Sequence, residues 1–422
     1  MKGDFSRITF DPKKHYSRVL MQQGRVQLDA DWNEQVAILL HRLETMARDL
    51  IGPFGGPKEH CGFAFTKEDG AGFLLSEGRY YVDGMLCVND DATVKFDMND
   101  LAEQDGVKFN EAANYLLYLD AWEQYLNASE DPDIRETALG GPDTSGRSKV
   151  VWSVRIREYD NRGITDDAAI GKAIGQVLSV LQIEQQRNGR LKVKVEPSKG
   201  QEQDDSPCIL SPGSRFRGLE NQLYRVEIHN GTGDFSQPQA TFKWSRENGS
   251  VIFPISTPVG ATIVLEPGHS TMGLKGGDWV ELLDDHRTAQ VQPERLQQVK
   301  SVDAVKREIG LMEMPAERSL KHPFLRRWES GAIEIVEDKW VTLEDGISIQ
   351  FVKQDGYRSG DYWCFPARTA GDGNITWPDD GAPPDGVIHH YAPLAAVSYD
   401  GKGPTLKLDC RKIFPELGAA LK

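Results

Sequence analysis

No CxxC pair occurs in this chain: its five cysteines, Cys61, Cys87, Cys208, Cys364 and Cys410, are odd in number and far apart. A scattered set of this kind supplies neither a disulfide framework nor a zinc cluster, and reads as reduced thiols in a cytosolic protein. No apolar run approaches the roughly 18 residues that a membrane-crossing helix needs. The start of the chain, with Asp4 early and no apolar stretch before Val19, does not read as a signal peptide. Positive charge is short too: 49 Lys and Arg face 64 Asp and Glu, a formal net charge of −15, which argues against a nucleic-acid partner. G-x-S-x-G, the P-loop, H-E-x-x-H and G-x-G-x-x-G are all missing. Gly140-Gly141-Pro142 is followed by no Lys-Ser/Thr pair and no helix, so it is a turn and not a phosphate cradle.

What is present concentrates at the N-terminus. A polar arm carrying Phe5, Ile8 and Phe10 precedes an amphipathic segment in which Val36, Leu39, Leu40, Leu43, Met46, Ala47 and Leu50 recur at steps of three and four. That spacing predicts a helix from Trp32 to Ile51, with Asp31 and Glu34 placed as a capping pair and Gly52-Pro53 as its stop. Val36, Leu43 and Leu50 also fit heptad position a, and Leu39 and Met46 position d, so the stripe suits a self-association seam. The same stripe would equally pack the helix on its own domain. The arm is too polar to build a core of its own, and its three apolar residues are candidates for docking on a partner chain.

Beyond the helix, β signals dominate. Gly72–Leu75, Arg79–Val88, Asn114–Trp122 and Lys149–Arg157 read as strands, and a second helix is expected from about Asp166 to Gln186 with Ile170, Ala173, Ile174, Val177, Leu178, Val180 and Leu181 on its apolar face. Residues 197 to 207 are the best linker. After it come short runs such as Leu223–His229, Ala240–Trp244, Asp278–Leu283, Ala332–Val336 and Ile347–Val352, between Gly, Pro and Asp. Such a succession favours sandwich or barrel-like domains over a parallel α/β sheet. The expected division is an arm and helix (1–57), a β-rich domain with one helix (58–198) and a second β-rich domain (208–422). Gly277-Asp278-Trp279 and Gly360-Asp361-Tyr362-Trp363 could mark a duplicated strand opening.

Candidate chemistry is sparse. His389-His390 with Asp409 and Cys410 are zinc-ligand types, but adjacent residues of a strand point to opposite faces. Glu130, Asp131, Asp133 and Asp143 could suggest calcium, yet they lack the D-x-D-x-D-G spacing, and a turn capped by Asp side chains is the better reading. Trp328, Trp340, Trp363 and Trp377 could form a sugar-binding shelf, although aromatic residues more often pack in the core with one polar handle. No pair among the carboxylates stands out as a glycosidase pair. No catalytic residue, cofactor or metal is therefore expected.

The string GDFSRITFDPKKHYSRVLMQQGRVQLDADWNEQ resembles the N-terminal signature of an uncharacterised family encoded with phage-tail-like contractile injection systems, and more loosely the start of baseplate-attached phage tail-fibre proteins. Tyr115–Val154, Arg217–His229, Thr241–Ser250, Tyr357–Thr369 and His389–Leu417 look like further blocks of that family, so the resemblance covers nearly the whole chain. It implies a structural component attached at or around the baseplate, as a fibre, crown or cage. The partners it implies are copies of the chain itself, as a homotrimer, and other baseplate or spike proteins, with at most indirect contact with a membrane or target cell. Such a protein would be made in the bacterial cytoplasm and then join the particle. A carbohydrate-binding adhesin and, third, a polysaccharide-cleaving enzyme are the alternatives.

Overall fold

The computed structural model describes residues 1–110, 113–139, 143–160, 166–187, 189–195, 222–232, 239–256, 260–289, 293–313, 320–368 and 375–415. The fold is mainly β, built from open sheets of three to six strands, and none of them closes into a barrel among the described residues. Among the described residues four α-helices accompany the sheets: α1 (Asp29–Ile51), α2 (Met98–Asp105), α3 (Asp167–Glu184) and α4 (Asp285–Ala289). The two short ones, α2 and α4, were not expected. An eight-residue helix offers barely two turns of periodicity, and α2 is set by its ends: the Asp97 side chain accepts from Asn99 N, and Gly106 closes it in a left-handed conformation.

The first core surrounds an antiparallel sheet in the order Pro404–Asp409, His390–Tyr399, Asn114–Leu126, Arg147–Tyr159. Because side chains alternate along a strand, Tyr115, Leu117, Leu119 and Ala121 face Phe63, Phe73, Tyr80 and Cys87, while Leu116 and Tyr118 face Ala173, Ile174 and Leu181 of α3. The strand is thus covered on both faces, which is why its sequence is a near-continuous apolar run. Of the seven apolar positions expected on α3, only Val180 stays exposed.

A sandwich forms the second core. Gln222–Asn230 lies between Thr241–Ser245 and Tyr362–Ala367, and faces a sheet of Trp340–Thr342, Ile347–Phe351 and Leu191–Val195. Tyr224, Val226, Phe242, Trp363 and Phe365 from the first sheet interdigitate with Ile347, Ile349 and Phe351 from the second. The third core belongs to a six-stranded sheet in which Phe324–Trp328 and Trp279–Leu283 are neighbours, and it gathers Phe253, Ile263, Val280, Ile309 and Leu325.

The expected ranges 58–198 and 208–422 are crossed by these sheets in both directions. His390–Tyr399 completes the first sheet beside Asn114–Leu126, and Leu191–Val195 completes the second sandwich beside Ile347–Phe351. The range 208–422 also holds two cores, not one. The expected linker at 197–207 and Cys208 lie outside the described residues. The two Gly-Asp-aromatic strings do open strands: Gly277 and Gly360 have φ of +95° and +86°, and strands begin at Trp279 and Tyr362.

Candidate functional site

Helix α1 starts three residues earlier than the sequence suggested. Leu28 is its N-cap residue, and Asp31 occupies the third helical position, where its carboxylate accepts the Leu28 N–H at 3.4 Å. The expected capping pair is therefore corrected: Asp31 supplies the return half of a capping box and Leu28 has no side-chain oxygen for the other half. Gly52 ends the helix with φ of +92° and donates its N–H to Arg48 O at 2.8 Å.

The helix turns its polar side toward its own chain. Ala30 and Ile38 are the two residues of α1 that are buried, and Glu34, Glu44 and Arg48 share their side of the cylinder. Gly84 approaches so closely that a Cβ there would lie 2.3 Å from Glu44 O. Arg48 reaches Asp83 at 3.4 Å, and Asp83 in turn meets His390 Nδ1 at 2.8 Å; that hydrogen bond, the largest influence on Asp83, holds its carboxyl below the usual range. At about 100° per residue, the stripe of Trp32, Val36, Leu39, Leu40, Leu43, Met46 and Leu50 falls half a circumference away. These side chains are 40% to 66% exposed. A contiguous apolar stripe along about 27 Å of helix is more than a soluble monomer ordinarily leaves in water.

The arm divides between two roles. Residues 6–10 run beside α1: Ser6 Oγ donates to Asp29 at 2.6 Å, Thr9 Oγ1 to Glu34 at 2.6 Å, and the Phe10 ring lies 5.7 Å from the His41 ring. Phe5 packs edge-on against Tyr125 at 5.6 Å. The sequence assigned Phe5, Ile8 and Phe10 together to a partner chain; Phe5 and Phe10 find neighbours within the chain, and only Ile8, 59% exposed, remains open.

Residues 1–3 enter a buried charge cluster that the sequence did not reveal. Lys2 Nζ meets Glu227 Oε1 at 2.9 Å, Arg225 Nε meets Glu227 Oε2 at 2.6 Å, and Lys243 Nζ meets Glu281 Oε2 at 2.6 Å. Trp328 Nε1 donates to the same Glu281 oxygen at 3.0 Å, and Lys243 also stands over the Trp328 ring. Asn248 Nδ2 donates to Met1 O and Gly3 O at 3.2 Å and 2.9 Å. Burial pushes the Glu227 carboxyl up, but Lys2, Arg225 and Lys243 outweigh it and hold the group well below the carboxylate range. Glu281 is likewise pushed up by burial, then brought down to about 2, chiefly by Lys243. Burial lowers Lys2 to about 8, His229 to about 4 and the Met1 amine to about 5. The cluster borders a cavity of about 350 Å³ lined by the start of the arm (Met1, Lys2), by Glu44 of α1 and by strands of all three cores, among them Trp122, Glu227 and Glu281. Its net effect is to pin the start of the chain to strands more than 200 residues away.

The remaining candidates do not converge. His389 pairs with Asp120 at 2.7 Å and His390 with Asp83 at 2.8 Å, on opposite faces of one strand, while Asp409 pairs with Arg411 at 2.7 Å. His390 opens the strand and His389 immediately precedes it. Among the described residues no group of three His, Cys, Asp or Glu side chains is placed to hold a metal ion. Asp131 caps a short 3-10 turn by accepting from Asp133 N, as an Asp-capped turn would, but Glu130, which accepts from Asn127, is buried together with it and not solvated. Trp328 and Trp363 are buried, Trp363 and Trp377 donate to Ala382 O and Leu191 O, and Trp340 lies under Lys194. They form no common shelf.

A family of unknown function, DUF6519, matches residues 1–190 and 161–413 of this sequence. No curated protein and no solved structure matches.

Proposed function

The chain belongs to the DUF6519 family, and we propose that it is a structural component of a phage-tail-like contractile injection system, attached at or around the baseplate and acting by assembly, not by catalysis. The observation that carries the assembly reading is the outward-facing stripe of α1. A helix that uses its polar side to hold its own body, and leaves seven large apolar side chains in water, is built to be covered by something else. The heptad spacing of Val36, Leu39, Leu43, Met46 and Leu50 suits copies of the same helix, and a homotrimer buries all three stripes around one axis. The resemblance of the N-terminal signature and of the later sequence blocks supports the placement on an injection particle. In this reading the β cores are a rigid outer body, and neighbouring baseplate or spike proteins contact it.

Injection particles purified with and without this gene test the proposal. The chain should copurify with sheath and tube in fixed stoichiometry, and an electron-microscopy map should lose discrete density at or near the baseplate when the gene is deleted. Intact particles with unchanged density and no bound chain would overturn it. Turnover of cell-wall or capsule polymers by the purified protein, abolished by changing one carboxylate pair, would replace it with an enzyme.

A further inference from the structure

Between the arm and α1 lies a connector, residues 12–28 (PKKHYSRVLMQQGRVQL), whose composition is unlike the rest of the chain. It contains Lys13, Lys14, Arg18 and Arg25 and not one Asp or Glu, so the other 405 residues hold 45 Lys and Arg against 64 Asp and Glu, a formal −19. All four cations are exposed, and none has a carboxylate within ion-pair distance among the described residues. Lys14 stands over the Tyr16 ring, 6.0 Å from its centroid, and in so acidic a chain four cations without a paired carboxylate among the described residues are conspicuous. Tyr16, Leu20, Met21, Val26 and Leu28 alternate with them and are 43% to 83% exposed. Apart from one 3-10 turn at Pro12–Lys14 and a bend at Gly24, the connector has no regular structure, and it is tied to α1 by Val19 N donating to Gln35 Oε1 at 2.7 Å.

We infer that residues 12–28 are a strap that lies across the acidic body of a second copy of this chain. Charge complementarity names the occupant: the strap is wholly basic, the body carries −19, and the strap leaves its own copy's carboxylates unused. The apolar side chains supply contact area between the cations, as amphipathic segments do at interfaces. Continuity fixes the place, because the strap runs directly into Asp29 and the exposed stripe of α1, so a copy packed on that stripe lies within its reach. The inference deepens the self-association reading of α1 and rests on it for the position of the second copy. The attraction of strap for body stands apart from it.

Two measurements separate the two. Sedimentation of the full chain, in wild type and in a Lys13→Glu, Lys14→Glu, Arg18→Glu, Arg25→Glu variant, compares self-association at about 50 mM and about 500 mM salt, where screening lengths differ. With exposed pairs each contributing a fraction of a kcal/mol, the variant should associate about 30-fold more weakly at low salt and lose the salt dependence of the wild type. The substitutions fall on exposed coil, so far-UV circular dichroism should not change. In the second measurement, a fluorescent peptide of residues 12–28 is titrated onto the Leu43→Asp full chain, whose seam is broken. It should bind with an affinity that falls as salt rises, and a charge-reversed peptide should not bind.

Equal association of variant and wild type at both salts, with no peptide binding, overturns the strap while leaving the α1 seam standing. A monomeric wild type that still binds the peptide removes the seam and keeps the strap. Normal association of the variant, coupled with lost binding to vesicles of anionic lipid, assigns the strap to a membrane surface and overturns the inference.

Discussion

Replacing Leu43 with Asp puts the seam hypothesis to its most direct test. Full burial of a Leu, Val or Met side chain is worth ~1.5–3 kcal/mol, and the seven stripe residues keep 40% to 66% of their surface exposed. About 1 kcal/mol per side chain therefore remains to be gained, roughly 7 kcal/mol per helix and about 20 kcal/mol for three. Association costs ~4–15 kcal/mol for each of the two steps that build a trimer, so the stripe meets that cost over the lower and middle part of its range. An Asp at position 43 forfeits one contact per copy and places a carboxylate in the seam, where desolvation costs several kcal/mol per ion. Over three copies the loss is of order 10 kcal/mol, about seven decades in the trimer constant. Within a single chain the change is nearly neutral: Leu43 is 56% exposed and lies on the side away from Ile38, leaving mainly a helix-propensity cost of ~0.5 kcal/mol. Sedimentation velocity at micromolar protein should show an oligomer for the wild type and a monomer for L43D, with the same circular dichroism. A monomeric wild type, or an L43D oligomer of unchanged size, would refute the reasoning.

Other sites give sharper tests of the fold. Lys243→Met should destabilise the protein by about 3–5 kcal/mol in denaturant titration, because Glu281 is left buried with the neutral donors Trp328 Nε1 and Glu294 N–H and, among the described residues, no ion-pair partner; a loss under 1 kcal/mol would mean the pair is not desolvated. Gly84→Val drives a Cβ into Glu44 O at a φ of +92°, so α1 should lift from the body, and hydrogen exchange along Glu34–Arg48 should accelerate while the cores stay protected. Glu329, pushed up to about 7 by burial against the opposing pull of Arg327 and Arg246, keeps its proton in the folded state across a window where the unfolded chain has lost it. Its contribution to stability is therefore present below pH ~4.5 and lost as pH rises through about 7. The stability of Glu329→Gln relative to wild type should rise across that window by up to about 3 kcal/mol, and a difference independent of pH would contradict it. Deleting residues 1–5 removes the Lys2 partner of Glu227 and the Phe5 contact with Tyr125, and should lower the melting temperature, whereas the sequence alone assigned the arm's apolar residues to a partner chain.

Much of the local structure was legible because it is written in local periods. The three- and four-residue steps of α1 and α3, the apolar run of Asn114–Leu126, and the Gly-Asp openings at Trp279 and Tyr362 depend on neighbours within a few residues. The sequence also identified the stripe as a surface of interest. It could not say which side of α1 meets the body, since an amphipathic helix packs on its own domain far more often than it exposes its apolar face.

That choice was made by tertiary contacts: Ile38 is buried, Gly84 admits the Glu44 backbone, and Arg48 is held by Asp83. The charge cluster was hidden for a related reason. Arg225, Glu227 and His229 alternate with Tyr224, Val226 and Ile228, which is also the pattern of a strand with one face in water. A period of two states that the faces differ, but not that Lys2, Lys243 and Glu281, distant in sequence, will cover the polar one. The exchange of His390–Tyr399 and Leu191–Val195 between cores is invisible for the same reason: pairing is decided by main-chain edges that meet only once the chain has folded. The sequence by itself determined the two long helices, many of the strands and the apolar stripe of α1; the tertiary structure alone decided that this stripe faces outward.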